Sequence, residues 1–196
     1  QTPLNIANKL LKSNVNILGT DPKSIDLAEN RKKFGKILKK LNIPAPEYGT
    51  AFSIDEAITI ANRIKYPVLV RPSYVLGGRG MEIVYNEDGL KNYVGKAALV
   101  SGKHPILIDA FLENAYEFDV DAMSDGIDVE IAGIMQHIEE AGIHSGDSSC
   151  VYPAYFLPNK ERKIIIDYTK LLAIELKIIG LINIQFAMKD GLVYVL

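Results

Sequence analysis

Helix and strand patterns alternate in the first part of the chain, and this alternation limits the possible folds more than any other feature. Ser53-Ile54-Asp55-Glu56 is a capping-box pattern that predicts a helix through about Lys65. The apolar run Pro67–Arg71 follows at once and predicts a strand. Asn86 is placed to begin a helix through about Val100, and Pro105–Leu112 predicts a further strand. Helices between strands predict a layered sheet.

The pattern changes near residue 113, where long alternating runs replace the helix and strand pairs. Phe118–Ala122 and Val129–Ile134 are separated by turn residues and predict an antiparallel hairpin. Pro158 is expected to start the longest helix, which extends to Gly180, and two apolar runs around Asp190-Gly191 predict a last hairpin. The second part is therefore expected to be antiparallel sheet with one long helix.

Charge and composition narrow the function classes. The chain has 22 Lys and Arg against 24 Asp and Glu, a net charge of −2, without the basic stripe that nucleic acid requires. Charged residues interrupt every apolar stretch before the roughly 20 residues of a membrane span. A lone Cys150 excludes an internal disulfide and is predicted to be a small core residue and not a nucleophile. We expect a cytoplasmic globular protein that binds neither nucleic acid nor membrane.

A glycine-rich segment between two arginines is the first candidate site. Arg71–Gly80 begins at the end of a predicted strand and contains Gly77, Gly78 and Arg79. Glycines let backbone amides approach anionic oxygens, and arginines supply bidentate charge, so this segment suits phosphate groups. It matches neither common phosphate-loop motif, and an ordinary turn with two solvated arginines is the alternative.

Three further features are less specific. The segment Gln136–Ser148 contains two histidines and three carboxylates, but its spacing matches no usual zinc pattern, and a solvated loop is the alternative. The strand Ile106–Leu112, with Glu113 and Glu117 after it, could meet a purine and a ribose or be a core strand. Gln185 is a polar residue on an apolar strand, where it more often satisfies a neighbour than binds a metal.

Taken together, these stretches resemble the large chain of carbamoyl-phosphate synthetases, in the expected order over nearly the whole chain. Gln1–Leu4 is similar to the end of the family's pre-ATP-grasp region, Arg71–Gly80 to its glycine-rich lid, and His144-Ser145-Gly146-Asp147-Ser148 to its His-Ser/Thr-Gly-Asp-Ser signature. The lid followed by Met81–Tyr85 resembles the second synthetase half, where the family phosphorylates carbamate, more than the first half, which phosphorylates bicarbonate.

The resemblance implies a role for individual residues. Arg31 and Arg71 would hold ATP phosphates, and adenine would lie against the Phe111-Leu112 backbone. Glu117 would take the ribose, Gln185 would be a magnesium ligand, and His144 and Arg71 would be the catalytic residues, with the far side of the nucleotide lined by Gly142, Ile143, His144 and Ser145. Ala110 stands where the family can place a histidine beside the nucleotide.

The implied fold is α+β, of the ATP-grasp type. Residues 1–42 would end the pre-ATP-grasp region, residues 43–112 would form a small lid subdomain, and residues 113–196 a larger antiparallel-sheet subdomain. The implied reaction uses ATP with Mg²⁺ or Mn²⁺ to phosphorylate carbamate in pyrimidine and arginine biosynthesis. The implied partners are the first synthetase half and a glutaminase small subunit.

The resemblance also concerns the ends of the sequence. The family continues after its last strand with Glu-x-Asn-Pro-Arg, whose Glu and Asn complete the magnesium site, whereas this sequence ends at Leu196. We therefore expect a piece of a larger polypeptide that is inactive alone. The alternatives are another ATP-grasp ligase, such as a biotin-dependent carboxylase, which would show a Lys and a longer glycine run in its lid, or a non-catalytic nucleotide-binding module.

Overall fold

The computed structural model describes residues 2–72, 80–101, 105–143 and 145–196. These residues form two compact units. The terminal unit comprises Gln1–Ala45, Phe118–Gln136 and Val151–Leu196, and the central unit comprises Pro46–Glu117 and His137–Cys150. The boundaries predicted at residues 42 and 112 stay a prediction. None of the helices in the described ranges combines the length and apolar character of a membrane crossing.

The central unit is a four-stranded antiparallel sheet with two helices. Three helices, α1 to α3, precede this unit in the chain and are described below. In chain order the elements of the unit are β1 (Tyr48–Ala51), α4 (Ile54–Ile64), β2 (Val68–Pro72), β3 (Glu82–Val84), α5 (Glu87–Ser101) and β4 (Ile106–Ala110). The strand order is β1-β4-β2-β3. The alternation of helices and strands predicted from the sequence is confirmed.

Local signals begin both helices of this unit. The Ser53 Oγ accepts a hydrogen bond from the Glu56 N–H at 3.2 Å, while the Glu56 carboxylate accepts one from the Phe52 N–H at 2.7 Å. Asn86 accepts from the Gly89 N–H at 2.9 Å and so begins α5. The helices then pack on the sheet through buried residues from α4, α5 and the central strands: Ala57, Ala61, Leu90, Val68 and Ile108.

The terminal unit contains three leading helices and a five-stranded sheet. The helices are α1 (Thr2–Lys12), α2 (Pro22–Glu29) and α3 (Arg31–Lys40). The later elements are β5 (Tyr116–Ser124), β6 (Val129–His137), β7 (Cys150–Val151), α6 (Asn159–Glu175), β8 (Gly180–Lys189) and β9 (Leu192–Val195), and β5 and β6 pair antiparallel, as do β8 and β9. Both predicted hairpins are confirmed. Ile165 and Leu172 of α6 are fully buried with Phe118 and Phe186 of the sheet.

Two local expectations are wrong. The long helix ends at Glu175 and not at Gly180, because Lys177 takes the left-handed conformation with φ of 51°, and Gly180 begins the next strand. Cys150 is exposed on a two-residue strand and is not a core residue. An apolar neighbourhood in the sequence does not bury a residue when its strand is this short.

Candidate functional site

Gly142 lies in a tight turn of the central unit, after β6. Its φ is +95°, and a Cβ at this position would lie 2.8 Å from Cε2 of Phe111 and 3.1 Å from Cδ1 of Ile83. The turn backbone therefore packs directly on the aromatic ring that follows β4. Both the positive φ and the close approach require glycine here.

Glu117 holds this turn in place. Its Oε1 accepts a hydrogen bond from the Gly142 N–H at 3.2 Å, and its Oε2 lies 3.3 Å from Nδ1 of His137. Glu117 is only 7% exposed and His137 4% exposed. A buried carboxylate is costly unless donors or cations face it, so these contacts fix its position. A carboxylate with two engaged oxygens still offers lone pairs to further donors.

The segment from residue 137 to residue 150 is tied together by its own polar groups. Ile138 N–H donates to Ser149 O at 2.9 Å, and Ser149 N–H donates to the Glu139 carboxylate at 2.6 Å. Ile143 is 45% exposed beside Gly142, and Ser145 begins a single 3₁₀ turn, Ser145–Asp147. His144 lies outside the described residues. The polar character of this segment thus stabilises a defined loop with an apolar side chain at its surface.

The chain leaves β4 in a fixed geometry. Ala110 N–H donates to Glu47 O at 2.7 Å, and Phe111 N–H donates to Pro67 O at 3.1 Å. Ala115 N–H then donates to Leu112 O at 3.1 Å, which turns the chain into β5. Gly142 contacts residues on both ends of this turn, because its N–H donates to Glu117 and its backbone packs on the Phe111 ring.

Arg71 lies on β2 at the start of the predicted phosphate segment. Its Nε is 3.3 Å from Oδ2 of Asp109 on the neighbouring strand β4, and its side chain is 34% exposed. Asp109 is buried. A guanidinium approached through Nε keeps four N–H donors on its two terminal nitrogens, the geometry that suits a phosphate.

The far end of the glycine-rich segment is attached to α5. Tyr93 donates its hydroxyl hydrogen to Gly80 O at 2.7 Å, and Gly80 has φ of +76°. Burial, reinforced by the charge of Glu82, raises the pKa of Tyr93 to about 12. Residues 73–79, including Gly77, Gly78 and Arg79, lie outside the described residues.

Two predicted site residues belong to the terminal unit. Arg31 is the first residue of α3, whose start is capped by Asn30 accepting from the Lys33 N–H at 3.2 Å. Gln185 lies half-buried on β8, two residues from Asn183, whose amide donates to Asp121 at 2.8 Å. The roles assigned to Arg31 and Gln185 stay predictions.

The structure thus brings together part of the predicted set. Glu117, Gly142 and the Phe111-Leu112 corner meet within the central unit. Sequence reasoning assigned no contact to Asp109 or His137, although each faces a predicted site residue. The signal for Asp109 was a carboxylate inside an apolar strand pattern, which is rarely buried without a cationic partner.

Sequence comparison places the chain close to carbamoyl-phosphate synthases. The family model "Carbamoyl-phosphate synthase L chain, ATP binding domain" matches residues 30–196. The chain is 59% identical over its whole length to the carbamoyl phosphate synthase large chain, C-terminal section, of Methanocaldococcus jannaschii, of which it covers 32%. It is also 59% identical over its whole length to the large chain of Archaeoglobus fulgidus, of which it covers 18%. The chain therefore spans a third or less of these relatives.

Structural comparison defines the fold. The biotin carboxylase of Campylobacter jejuni matches with a TM-score of 0.80 at 20% identity, covering 98% of this chain and 44% of that one. D-alanyl-alanine synthetase A of Vibrio cholerae matches with a TM-score of 0.80 at 19% identity, covering 98% and 61%. At these identities the likeness concerns the fold alone, and the fold is α+β of the ATP-grasp type, as predicted.

Proposed function

Because this chain belongs to the family of the ATP-binding domain of the carbamoyl-phosphate synthase large chain, we propose that it binds Mg-ATP and phosphorylates carbamate. The matched relatives are carbamoyl phosphate synthase large chains, and the Methanocaldococcus jannaschii relative is its C-terminal section. That name supports the second synthetase half. The activity of the whole enzyme belongs to the proposal, because the chain spans only part of its relatives.

The observation that supports the proposal most directly lies at the nucleoside end of the site, where Glu117 accepts a hydrogen bond from the Gly142 N–H. This contact places a fixed carboxylate at the corner formed by Phe111 and Leu112. We assign adenine to the Leu112 backbone and the ribose hydroxyls to Glu117, since hydroxyls donate well to a buried carboxylate. Gly142, Ile143 and Ser145 would line the same nucleotide.

The phosphate end uses charge and positioning. Arg71, aligned by Asp109, would bind phosphate oxygens, and Arg31 would add a second cation. His144 would stabilise the transferring phosphoryl group. In-line phosphoryl transfer needs positioned groups and neutralised charge more than covalent help, which agrees with these residue types.

Magnesium would neutralise the phosphate charge when it is bound. The half-buried amide of Gln185 on β8 fits one ligand position, since hard cations accept amide oxygens. A single uncharged ligand binds such a cation weakly, so further oxygen ligands from nucleotide, water or carboxylate are required. The first synthetase half, a glutaminase subunit and a role in pyrimidine and arginine synthesis are parts of the same proposal.

The sequence relatives favour this function over the alternatives. A biotin carboxylase shares the fold at 20% identity, whereas carbamoyl phosphate synthase large chains share 59% of residues over the whole chain. Fold likeness alone does not carry an activity, because the ATP-grasp architecture holds several chemistries. A non-catalytic module remains testable by separating binding from turnover.

Two measurements test the proposal. Calorimetric titration of the 196-residue chain with Mg-ADP should show binding at one site. In a chimera, these 196 residues replace the matching segment of the Archaeoglobus fulgidus large chain, and ATP formation from ADP and carbamoyl phosphate should persist. Binding without turnover in a folded chimera whose parent is active would favour the non-catalytic alternative.

A further inference from the structure

Among the described residues, His137 contacts the proposed ribose carboxylate, and neither the sequence nor the relatives supplied a role for it. It ends β6, five residues before Gly142, and its ring is buried. Its Nδ1 lies 3.3 Å from Oε2 of Glu117, opposite the oxygen that accepts from the Gly142 N–H. The carboxylate is therefore contacted on both oxygens.

Contacts on both oxygens restrict the directions in which the Glu117 carboxylate can accept further hydrogen bonds. One contact alone would let the Glu117 carboxylate rotate about its last torsion, which is a soft sp³–sp² bond. A backbone N–H on Oε1 and an imidazole nitrogen near Oε2 hold the carboxylate plane at one angle. The remaining lone pairs then point in fixed directions. A ligand hydroxyl must meet these directions to bind.

We propose that His137 is a positioning residue that orients Glu117 and thereby sets the selectivity of the site for a nucleotide with both ribose hydroxyls. This inference rests on the proposed function, since it assumes that Glu117 faces the ribose. A fixed buried carboxylate binds a ligand hydroxyl that meets its lone pairs. When that hydroxyl is missing, a carboxylate oxygen loses its partner, and this weakens binding. A carboxylate free to rotate loses much of this discrimination.

The test compares ADP, 2′-deoxy-ADP and 3′-deoxy-ADP, each with magnesium, by calorimetric titration. The wild-type chain should bind at least one deoxy analogue about tenfold or more weakly than ADP, the effect of a lost hydrogen bond to a charged group. The informative quantity is the affinity ratio of ADP to that analogue. If His137 had only a structural role, its substitution would weaken the binding of all three nucleotides alike and leave this ratio unchanged.

Two variants form a matched pair. In His137→Asn the amide nitrogen is bonded to Cγ, as Nδ1 is in histidine, so a nitrogen close to Oε2 of Glu117 is kept. In His137→Gln the amide nitrogen is bonded to Cδ, the position of Nε2, so that nitrogen is displaced from Oε2 although the side chain stays polar. In His137→Asn we expect the affinity ratio of ADP to the deoxy analogue to stay within about twofold of the wild-type ratio. In His137→Gln we expect this ratio to fall to less than about three.

The outcomes separate the inference from the proposed function. Absence of ADP binding by the wild type would overturn both. ADP binding with no discrimination against either analogue, or with the same ratio in His137→Gln as in wild type, would overturn the inference and leave nucleotide binding intact. If circular dichroism shows that His137→Gln does not fold, the same affinity ratio is measured instead in His137→Met, which lacks both ring nitrogens.

Discussion

Nε of Arg71 lies 3.3 Å from Oδ2 of Asp109, between the adjacent strands β2 and β4. The pair joins a partly exposed guanidinium to a buried carboxylate. The buried carboxylate therefore restrains a flexible side chain at the start of a glycine-rich segment before any anion arrives. Such preorganisation lowers the entropic cost of binding.

Arg71→Ala should weaken Mg-ADP binding. Loss of a hydrogen bond to a charged group corresponds to about 1.5 to 3 kcal/mol, or roughly 10- to 150-fold in the dissociation constant. Calorimetric titration measures the effect. Arg63→Ala is the matched control, because Arg63 is also in the central unit but lies on α4 beside Glu47 and the Tyr48 carbonyl. Equal affinities for Arg71→Ala and wild type would remove Arg71 from the site.

Gly142→Ala should lower both stability and nucleotide affinity. The new Cβ would lie 2.8 Å from the Phe111 ring at a φ of +95°, so the turn or the ring must shift, which disturbs the contact of the Gly142 N–H with Glu117. We expect a loss of about 1 to 3 kcal/mol in the free energy of unfolding, measured by urea denaturation.

The matched control for that change is Gly95→Ala. Gly95 lies in α5, and a Cβ there would meet nothing within 4 Å, so alanine should be neutral or stabilise the helix. A Gly142→Ala variant as stable as Gly95→Ala, with unchanged ADP affinity, would contradict the tight packing of the turn.

Tyr93 should make stability depend on pH in the alkaline range. Its pKa is raised from the ordinary 10.0 to about 12 in the folded chain, so folding favours the protonated hydroxyl. This contribution is fully present below about pH 10 and is lost as the pH rises from about 10 through about 12. The free energy of unfolding should therefore fall more steeply over this range in wild type than in Tyr93→Phe.

Ultraviolet titration of phenolate absorbance gives a second measurement, in which one late-ionising tyrosine should disappear in Tyr93→Phe. Tyr155→Phe is the control, since Tyr155 is exposed. If Tyr155→Phe and Tyr93→Phe remove the same titration step, the hydroxyl of Tyr93 is not held at Gly80 O as the structure has it.

His144→Asn should reduce chemistry without unfolding the chain. We expect ATP formation from ADP and carbamoyl phosphate to fall about 100-fold in the Archaeoglobus fulgidus chimera, because the imidazole assigned to the transferring phosphoryl group is lost. The melting temperature should stay nearly constant. A large drop in melting temperature with normal activity per folded molecule would assign His144 a structural role instead.

Local chemistry made much of the fold predictable. The capping box at Ser53 and Glu56, the cap at Asn86 and the turn at Asp190-Gly191 each act within a few residues, and the structure has each where the sequence places it. Where a local signal competed with another, the prediction failed. Lys177 took the left-handed position that the sequence pattern gave to Gly180, and the helix ended five residues early.

The site residues were reached by resemblance, and their contacts required the tertiary structure. Glu117 and Gly142 are 25 residues apart, and Arg71 and Asp109 are 38 apart, so no periodicity relates them. The choice of glycine at position 142 becomes understandable only when the Phe111 ring is seen beneath it.

The sequence by itself determined most of the elements and their order, because capping, turn chemistry and apolar periodicity act over short stretches of chain, and its resemblance to known sequences indicated the family. Only the tertiary structure decided which polar groups face each other: His137 with Glu117, and Arg71 with Asp109. The physical reason is that burial of a charge is tolerable only beside its partner, and strand pairing alone determines which distant residue becomes that partner.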